Sequence, residues 1–173
     1  MDSRKICILG DFAVGKTSLV QRFVNDQFSD KYLTTLGVKV DTKEVRVESG
    51  RGLKLAIWDV AGTDTPTQLF LRYIRGASGY LLVADRTRPE TLDACVALRD
   101  AVAGALRPLP YVFMANKSDL GDQCRLQAAT ASARLTDAID WMDTSALTGA
   151  GVELAFRRLA ARMLDDPSSK GSE

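Results

Sequence analysis

The sequence predicts an α/β fold: a six-stranded, mostly parallel sheet with one antiparallel edge strand, flanked by about five helices. Three observations point there. Apolar runs alternate with helical segments along the chain, the rhythm of strand–helix–strand units. A glycine-bracketed loop, Gly10-Asp11-Phe12-Ala13-Val14-Gly15-Lys16-Thr17, joins the first apolar run to the first helix. A short turn, Ser49-Gly50-Arg51-Gly52, links two neighbouring strands, so that pair is antiparallel.

Taken in order, the first strand is expected near residues 5–10, around Ile6-Cys7-Ile8-Leu9. Ser18-Leu19-Val20-Gln21-Arg22-Phe23-Val24 reads as a helix, near 16–26. The run Val38–Val47 partly alternates apolar and polar residues, as an edge strand does. Its hairpin partner lies near 53–59. A helix near 66–76 follows, with Thr65 as its N-cap and Pro66 in its first turn. A strand near 79–85, a helix near 90–105 and a strand near 111–116 come next. A helix near 125–136 and a short strand near 140–144 precede the last helix, near 151–164. That helix carries Val152, Leu154, Ala155, Leu159, Met163 and Leu164 as an apolar face. Residues 1–164 read as one domain. Residues 165–173 are polar and rich in helix breakers, and are expected to form a flexible tail.

Composition narrows the function. A chain of 173 residues can bury a sizeable single core. A net charge of +1 leaves no electrostatic footprint for nucleic acid. There is no signal peptide and no apolar stretch near the ~18 residues of a membrane span. Cys7, Cys95 and Cys124 are scattered without metal-ligand spacing. Cys7 reads as core, the other two as ordinary reduced thiols, and a cytoplasmic, monomeric protein is expected. The chain has no histidine, which excludes imidazole catalysis and histidine metal ligation. Asp2 stands where N-myristoylation needs glycine, and no C-terminal cysteine is present, so no lipid anchor is expected in this chain.

Residues 10–17 satisfy G-x-x-x-x-G-K-[ST] between a strand and a helix, the context in which this pattern cradles phosphates. Backbone amides of the loop wrap the anion, aided by the helix N-terminus. Lys16 reaches the β- and γ-phosphates, and the Thr17 hydroxyl holds Mg2+. Asn116-Lys117-Ser118-Asp119 follows the apolar run Tyr111–Ala115, at the carboxyl end of a strand, where open α/β sheets bind ligands. An Asp carboxylate accepts two parallel hydrogen bonds from guanine N1–H and its 2-amino group. Adenine has no such donor pair, and an unmatched carboxylate is costly, so Asp119 selects guanine.

With these motifs on the page, the chain resembles the Ras superfamily of small GTPases, P-loop NTPases with a G domain, and most closely the Rab and Rho branches. The resemblance covers about residues 4–164. Four further segments carry it: Phe28–Val38 as a first switch, Trp58-Asp59-Val60-Ala61-Gly62 as a second, Val83-Ala84-Asp85-Arg86-Thr87 as the fourth strand end, and Thr144–Gly149 as a third base-binding loop. The resemblance implies binding of GTP or GDP with Mg2+ and hydrolysis of the γ-phosphate. It implies nucleotide contacts from Gly10, Ala13, Val14, Gly15, Lys16, Thr17, Ser18, Phe28, Thr35, Gly62, Asn116, Lys117, Asp119, Ser145, Ala146 and Leu147. Thr17 and Thr35 ligate the metal, Asp59 through a water. Phe28 lies edge-on to the base, with core packing as the alternative reading. The Lys117 stem covers a base face, the Ala146 N–H meets guanine O6, and Asn116 ties the base loop to the phosphate loop. Thr35 and the Gly62 N–H engage only when the γ-phosphate is present, so their loops are held by GTP and released after hydrolysis. Thr34 offers a competing hydroxyl beside Thr35. Effectors, exchange factors and activating proteins are expected to dock on residues 30–45 and 60–76.

Three departures qualify the catalytic assignment of Lys16, Thr35, Gly62 and Thr63. Thr63 stands where most of the family has a water-orienting glutamine, and a threonine is too short for that water. Phe12 occupies a phosphate-loop position usually held by a small residue. Pro66 stiffens the second switch. The sequence therefore implies a switch with slow hydrolysis that needs an activating partner. The alternative is a pseudo-GTPase that holds nucleotide without cycling. A small-molecule phosphotransferase is disfavoured, because the guanine motif is present and no second substrate insertion is evident. Gln68 is the reserve candidate for orienting the water.

Overall fold

The structure is a computed structural model and describes residues 1–29 and 37–166. Among these residues six strands form one sheet: β1 (Asp2–Gly10), β2 (Val38–Arg46), β3 (Gly52–Val60), β4 (Gly79–Asp85), β5 (Tyr111–Asn116) and β6 (Asp140–Asp143). Their spatial order is β2-β3-β1-β4-β5-β6, with β2 and β3 antiparallel and every other pairing parallel. The fold class is the one the sequence predicts.

Burial explains the strand composition. Every residue of β4 and of β5 is buried, because helices cover both faces there and a solvent-facing polar position has no place. Only Val45 of β2 is buried, as suits a strand at the edge. Alternate strand residues feed opposite cores. On one face Ile6, Ile8, Leu81, Val83, Val112 and Met114 pack against α1 (Lys16–Asn25) and α5 (Val152–Asp165). Phe23 of α1 stacks on Phe156 of α5, ring centroids 3.8 Å apart. On the other face Cys7, Leu9, Leu82, Ala84, Phe113 and Ala115 pack against α2 (Gln68–Ile74), α3 (Glu90–Ala105) and α4 (Ala128–Ala131). Among the described residues no helix is long and apolar enough to cross a membrane.

Four expectations are corrected. The helix expected over 125–136 shrinks to the four residues of α4. Its small alanines bury little area, and the Ser132 hydroxyl donates to the Ala129 carbonyl, competing with helical bonding. Leu135 and Ala138 still reach the core, but from turns. The cap of α2 is Thr67, not Thr65: its hydroxyl accepts from the Phe70 N–H at 3.1 Å. Thr65 is held in the preceding turn instead: its carbonyl and N–H bond the Thr63 hydroxyl, and its own hydroxyl donates to Asp64 Oδ1 at 3.2 Å. On α5, Leu154 is 47% exposed, and the buried face is Val152, Ala155, Phe156, Leu159, Ala160 and Met163, the i, i+3, i+4 stripe that excludes position 154. Cys95 is not an ordinary thiol but fully buried, and burial pushes its thiol up, as it pushes Cys7 to about 12. Sequence reading also missed a short 3-10 helix, Ser118–Gln123, directly after β5.

Candidate guanine-nucleotide site

The site gathers at the carboxyl ends of β1, β4 and β5, where strands hand over to loops. β1 ends at Gly10, and an ideal Cβ there would sit 2.5 Å from the Val83 carbonyl oxygen of the neighbouring strand. The chain turns through Ala13, at φ 58°, and Gly15, at φ 100°, before α1 begins at Lys16. A Cβ on Gly15 would also meet Asn116 Nδ2 at 2.4 Å, so glycine is required twice over. Lys16 is buried and its Nζ donates to the carbonyls of Gly10 at 3.2 Å and Asp11 at 3.0 Å. Burial pulls its ammonium down to about 8, against the opposing pull of Asp59 and Asp11. The Thr17 hydroxyl donates to Asp59 Oδ2 at 2.6 Å, and Asp59 is fully buried at the end of β3. A hydroxyl and a carboxylate side by side are hard oxygen donors, the set that suits Mg2+.

The second switch leans on the phosphate loop. Thr63 N–H donates to the Gly10 carbonyl at 3.1 Å, and a Cβ on Gly62 would sit 2.8 Å from Phe12 Cα. The Thr63 hydroxyl is engaged within its own turn: it donates to the Thr65 carbonyl at 2.6 Å and accepts from the Thr65 N–H at 3.2 Å. Phe12 is 55% exposed at the rim. Thr35 lies outside the described residues, as does most of the first-switch segment.

A cavity of about 330 Å³ opens beside the phosphate loop, lined by Ala13, Gly15, Ser18, Phe28, Asn116, Lys117, Asp119, Ala146 and Leu147, together with Ser29 and Leu120. Nine of these eleven are residues the sequence nominates for nucleotide contact, and Phe28 stands on the wall instead of in the core. Val14 points into the core, and its carbonyl accepts from Asn116 Nδ2 at 3.0 Å. The Asn116 Oδ1 accepts from the Thr144 hydroxyl at 3.1 Å. Lys117 Nζ donates to the Ala13 carbonyl at 2.9 Å, a position that steadies the left-handed Ala13. Ser145 is set back from the cavity, and its hydroxyl donates to Asp119 Oδ1 at 2.7 Å.

Sequence reasoning missed the group behind these loops. Asp85 is buried, and its carboxylate accepts from Lys117 Nζ at 2.8 Å, Arg88 Nε at 3.1 Å, and the N–H and hydroxyl of Thr87 at 2.8 and 2.7 Å. Burial alone would raise its pKa, but hydrogen bonds from Lys117 and Thr87 outweigh that and hold the carboxyl below its ordinary value. Arg88 in turn donates to the Phe12 carbonyl at 2.7 Å. One carboxylate thus holds two cations on two successive phosphate-loop carbonyls. The available signal was an Asp ending an otherwise apolar, buried strand, a position that demands cationic or amide partners.

Comparison with known proteins agrees with this geometry. The Ras family model matches residues 5–165. The chain is 36% identical over 167 residues to the Ras-related protein Rab7 of Drosophila melanogaster, covering 93% of this chain and 80% of that one. It is 33% identical over 168 residues to the Ras-related protein RABA4b of Arabidopsis thaliana, covering 96% and 75%. It is 32% identical over 168 residues to the Ypt/Rab-type GTPase YPT7 of Saccharomyces cerevisiae, covering 92% and 81%.

Proposed function

Because the chain belongs to the Ras family, as a Rab-like small GTPase, we propose that it is a guanine-nucleotide switch whose intrinsic GTP hydrolysis is slow and depends on an activating partner. The GTP-binding, GTP-hydrolysing character is that of the family; the slowness is read from this chain's own residues. The observation that carries it is the Thr63 hydroxyl, closed into a turn with Thr65, where a water-orienting side chain would be needed.

The roles follow from position. Asp119 takes the N1–H and 2-amino donors of guanine, with the Lys117 stem on one face of the ring and Phe28 edge-on to it. Ala146 offers its N–H to O6, while Ser145 braces Asp119. The amides from Ala13 to Ser18 wrap the phosphates, with Lys16 on the β- and γ-oxygens. Thr17, Asp59 and Thr35 are the residues that would hold Mg2+, which when bound neutralises charge on those oxygens. Gly62 presents its N–H to the γ-phosphate, so the second switch is held while GTP is present. Residues 30–45 and 60–76 form the face for effectors, exchange factors and activators. The G domain spans residues 1–164 of a cytoplasmic monomer. Phe12 favours the alternative of a pseudo-GTPase, since its exposed ring stands at the rim where an activator's arginine would have to enter.

Single-turnover hydrolysis with the purified protein separates these readings. The wild type should turn over slowly and speed up with cell lysate. Thr63→Gln alone should help little. Phe12→Gly with Thr63→Gln should exceed the two single changes combined, because neighbours in one site couple. A brisk wild-type rate unchanged in all three variants would sink the proposal and direct attention to Gln68. No turnover under any condition would favour the pseudo-GTPase.

A further inference from the structure

Arg22 lies on α1, outside every motif the sequence analysis singled out. Its guanidinium reaches across to the loop after β6. Nε donates to the Ala146 carbonyl at 2.8 Å and Nη2 to the Leu147 carbonyl at 2.7 Å. Nη1 meets Asp26 Oδ1 at 3.1 Å. That last pair contributes little, since Asp26 is 92% exposed and an exposed i,i+4 ion pair is worth a few tenths of a kcal/mol. The two carbonyl bonds are different in kind: they are charge-assisted, come from one planar fork, and belong to a side chain only 18% exposed.

The consequence runs through a single rigid peptide. The Leu147 carbonyl and the Thr148 N–H belong to the same planar unit, so fixing the oxygen fixes the direction of the hydrogen. That N–H donates to the Ser145 Oγ at 3.1 Å. Ser145 Oγ in turn donates to Asp119 Oδ1 at 2.7 Å. Arg22 therefore stands at the far end of a relay, Arg22 to peptide 147–148 to Ser145 to Asp119, whose last member faces the cavity. Arg22 itself is not among the residues that line the cavity.

We propose that Arg22 is a positioning residue for base selection, setting the aim of the Asp119 carboxylate through the Leu147–Thr148 peptide and Ser145. This rests on the guanine-nucleotide reading of the site. A carboxylate so aimed receives both guanine donors together. Released from the relay, it can rotate to follow one donor, and discrimination between a base with two donors and a base with one declines.

Hypoxanthine is the probe, since it keeps N1–H and O6 but lacks the 2-amino group. Affinities of GDP and inosine diphosphate are measured for wild type, Arg22→Ala, Arg22→Lys, Ser145→Ala and Arg22→Ala with Ser145→Ala. The wild type should prefer GDP. Arg22→Ala should reduce that preference roughly 5- to 10-fold, less than the loss of a whole charge-assisted hydrogen bond to a base, because the carboxylate is loosened and not removed. Arg22→Lys, which keeps one donor to the carbonyls, should recover part of it. Ser145→Ala should reduce the preference alike, and the double variant should add nothing further. If Arg22→Ala weakens both nucleotides equally, leaving their ratio unchanged, Arg22 merely supports the fold and the proposal is overturned. Additive losses in the double variant overturn it too, since the two residues then do not share one relay. A wild type that binds ADP as well as GDP overturns the guanine reading first, and the relay with it.

Discussion

Asp85 ends β4 and Asp119 lies in the short helix just after β5, and the two carboxylates face opposite demands. Asp119 looks into the cavity and should lose a few kcal/mol of GTP binding on Asp119→Ala, the cost of charged hydrogen bonds, with little change in the melting temperature. A competition assay in which ATP and GTP displace each other equally would contradict it. Asp85 looks inward at Lys117 and Arg88, so its removal acts on stability. Its folded pKa lies below the ordinary value near 3.8, so its stabilisation is present above that pH and is lost as pH falls through the folded value. Asp85→Asn should therefore cost roughly 3–5 kcal/mol at neutral pH. In denaturant titrations the gap should begin to narrow below the ordinary value near 3.8 and close as pH falls through the lower folded value. A gap that persists in acid would show that the cost is not electrostatic. The legibility of residues follows the distance over which they act. The phosphate and base loops announce themselves because their chemistry is written in consecutive positions. Arg22 and Arg88 do not, because each serves carbonyls far along the chain, and a carbonyl has the same signature in every residue.

Among the elements, α2 is the one on which local chemistry and switching meet. Its first turn is held by the Thr67 hydroxyl, and it follows directly on Gly62 and Thr63. Thr67→Ala should cost about 1 kcal/mol of local stability. Amide exchange of Gln68 to Leu71 should then quicken in the GDP form. With a non-hydrolysable GTP analogue the effect should be smaller if Gly62 meets the γ-phosphate as proposed, since the segment is then held from its other end. Equal acceleration in both states would mean that this helix does not respond to nucleotide. The long elements were legible because their apolar periods persist for several turns or a whole strand. α4 was not, since the Ala-Ala-Thr-Ala-Ser-Ala segment has helix-compatible residues but too little apolar area to hold more than one turn against the sheet. Thr65 and Thr67 are equally good caps on paper, and only the turn that ties Thr65 to the Thr63 hydroxyl separates them.

At the scale of the molecule, the parallel order of β3, β1, β4, β5 and β6 brings five strand ends to one rim, and the phosphate and base loops hang from it, while Phe28 arrives from the end of α1. That much follows from the alternation of strands and helices, since right-handed crossovers leave few other arrangements. The division of labour between faces was less visible. Which alternate residues of β1 and β4 meet α1 and α5, and which meet α2 and α3, depends on register that only the folded chain supplies. The rim also joins what looks separable. Asn116 and Lys117, the first two residues of the base motif, place their nitrogens on the Val14 and Ala13 carbonyls of the phosphate loop. The two recognition loops are thus a single mechanical body, so half a ligand organises the seat for the other half. Guanosine and inorganic pyrophosphate, two molecules with no bond between them, should each bind more tightly in the other's presence. Isothermal titration of guanosine with and without pyrophosphate would measure this cooperativity as a common factor in both affinities. Lys117→Met should weaken it, leaving the Asn116 amide as the remaining tie between the two halves of a nucleotide-shaped site.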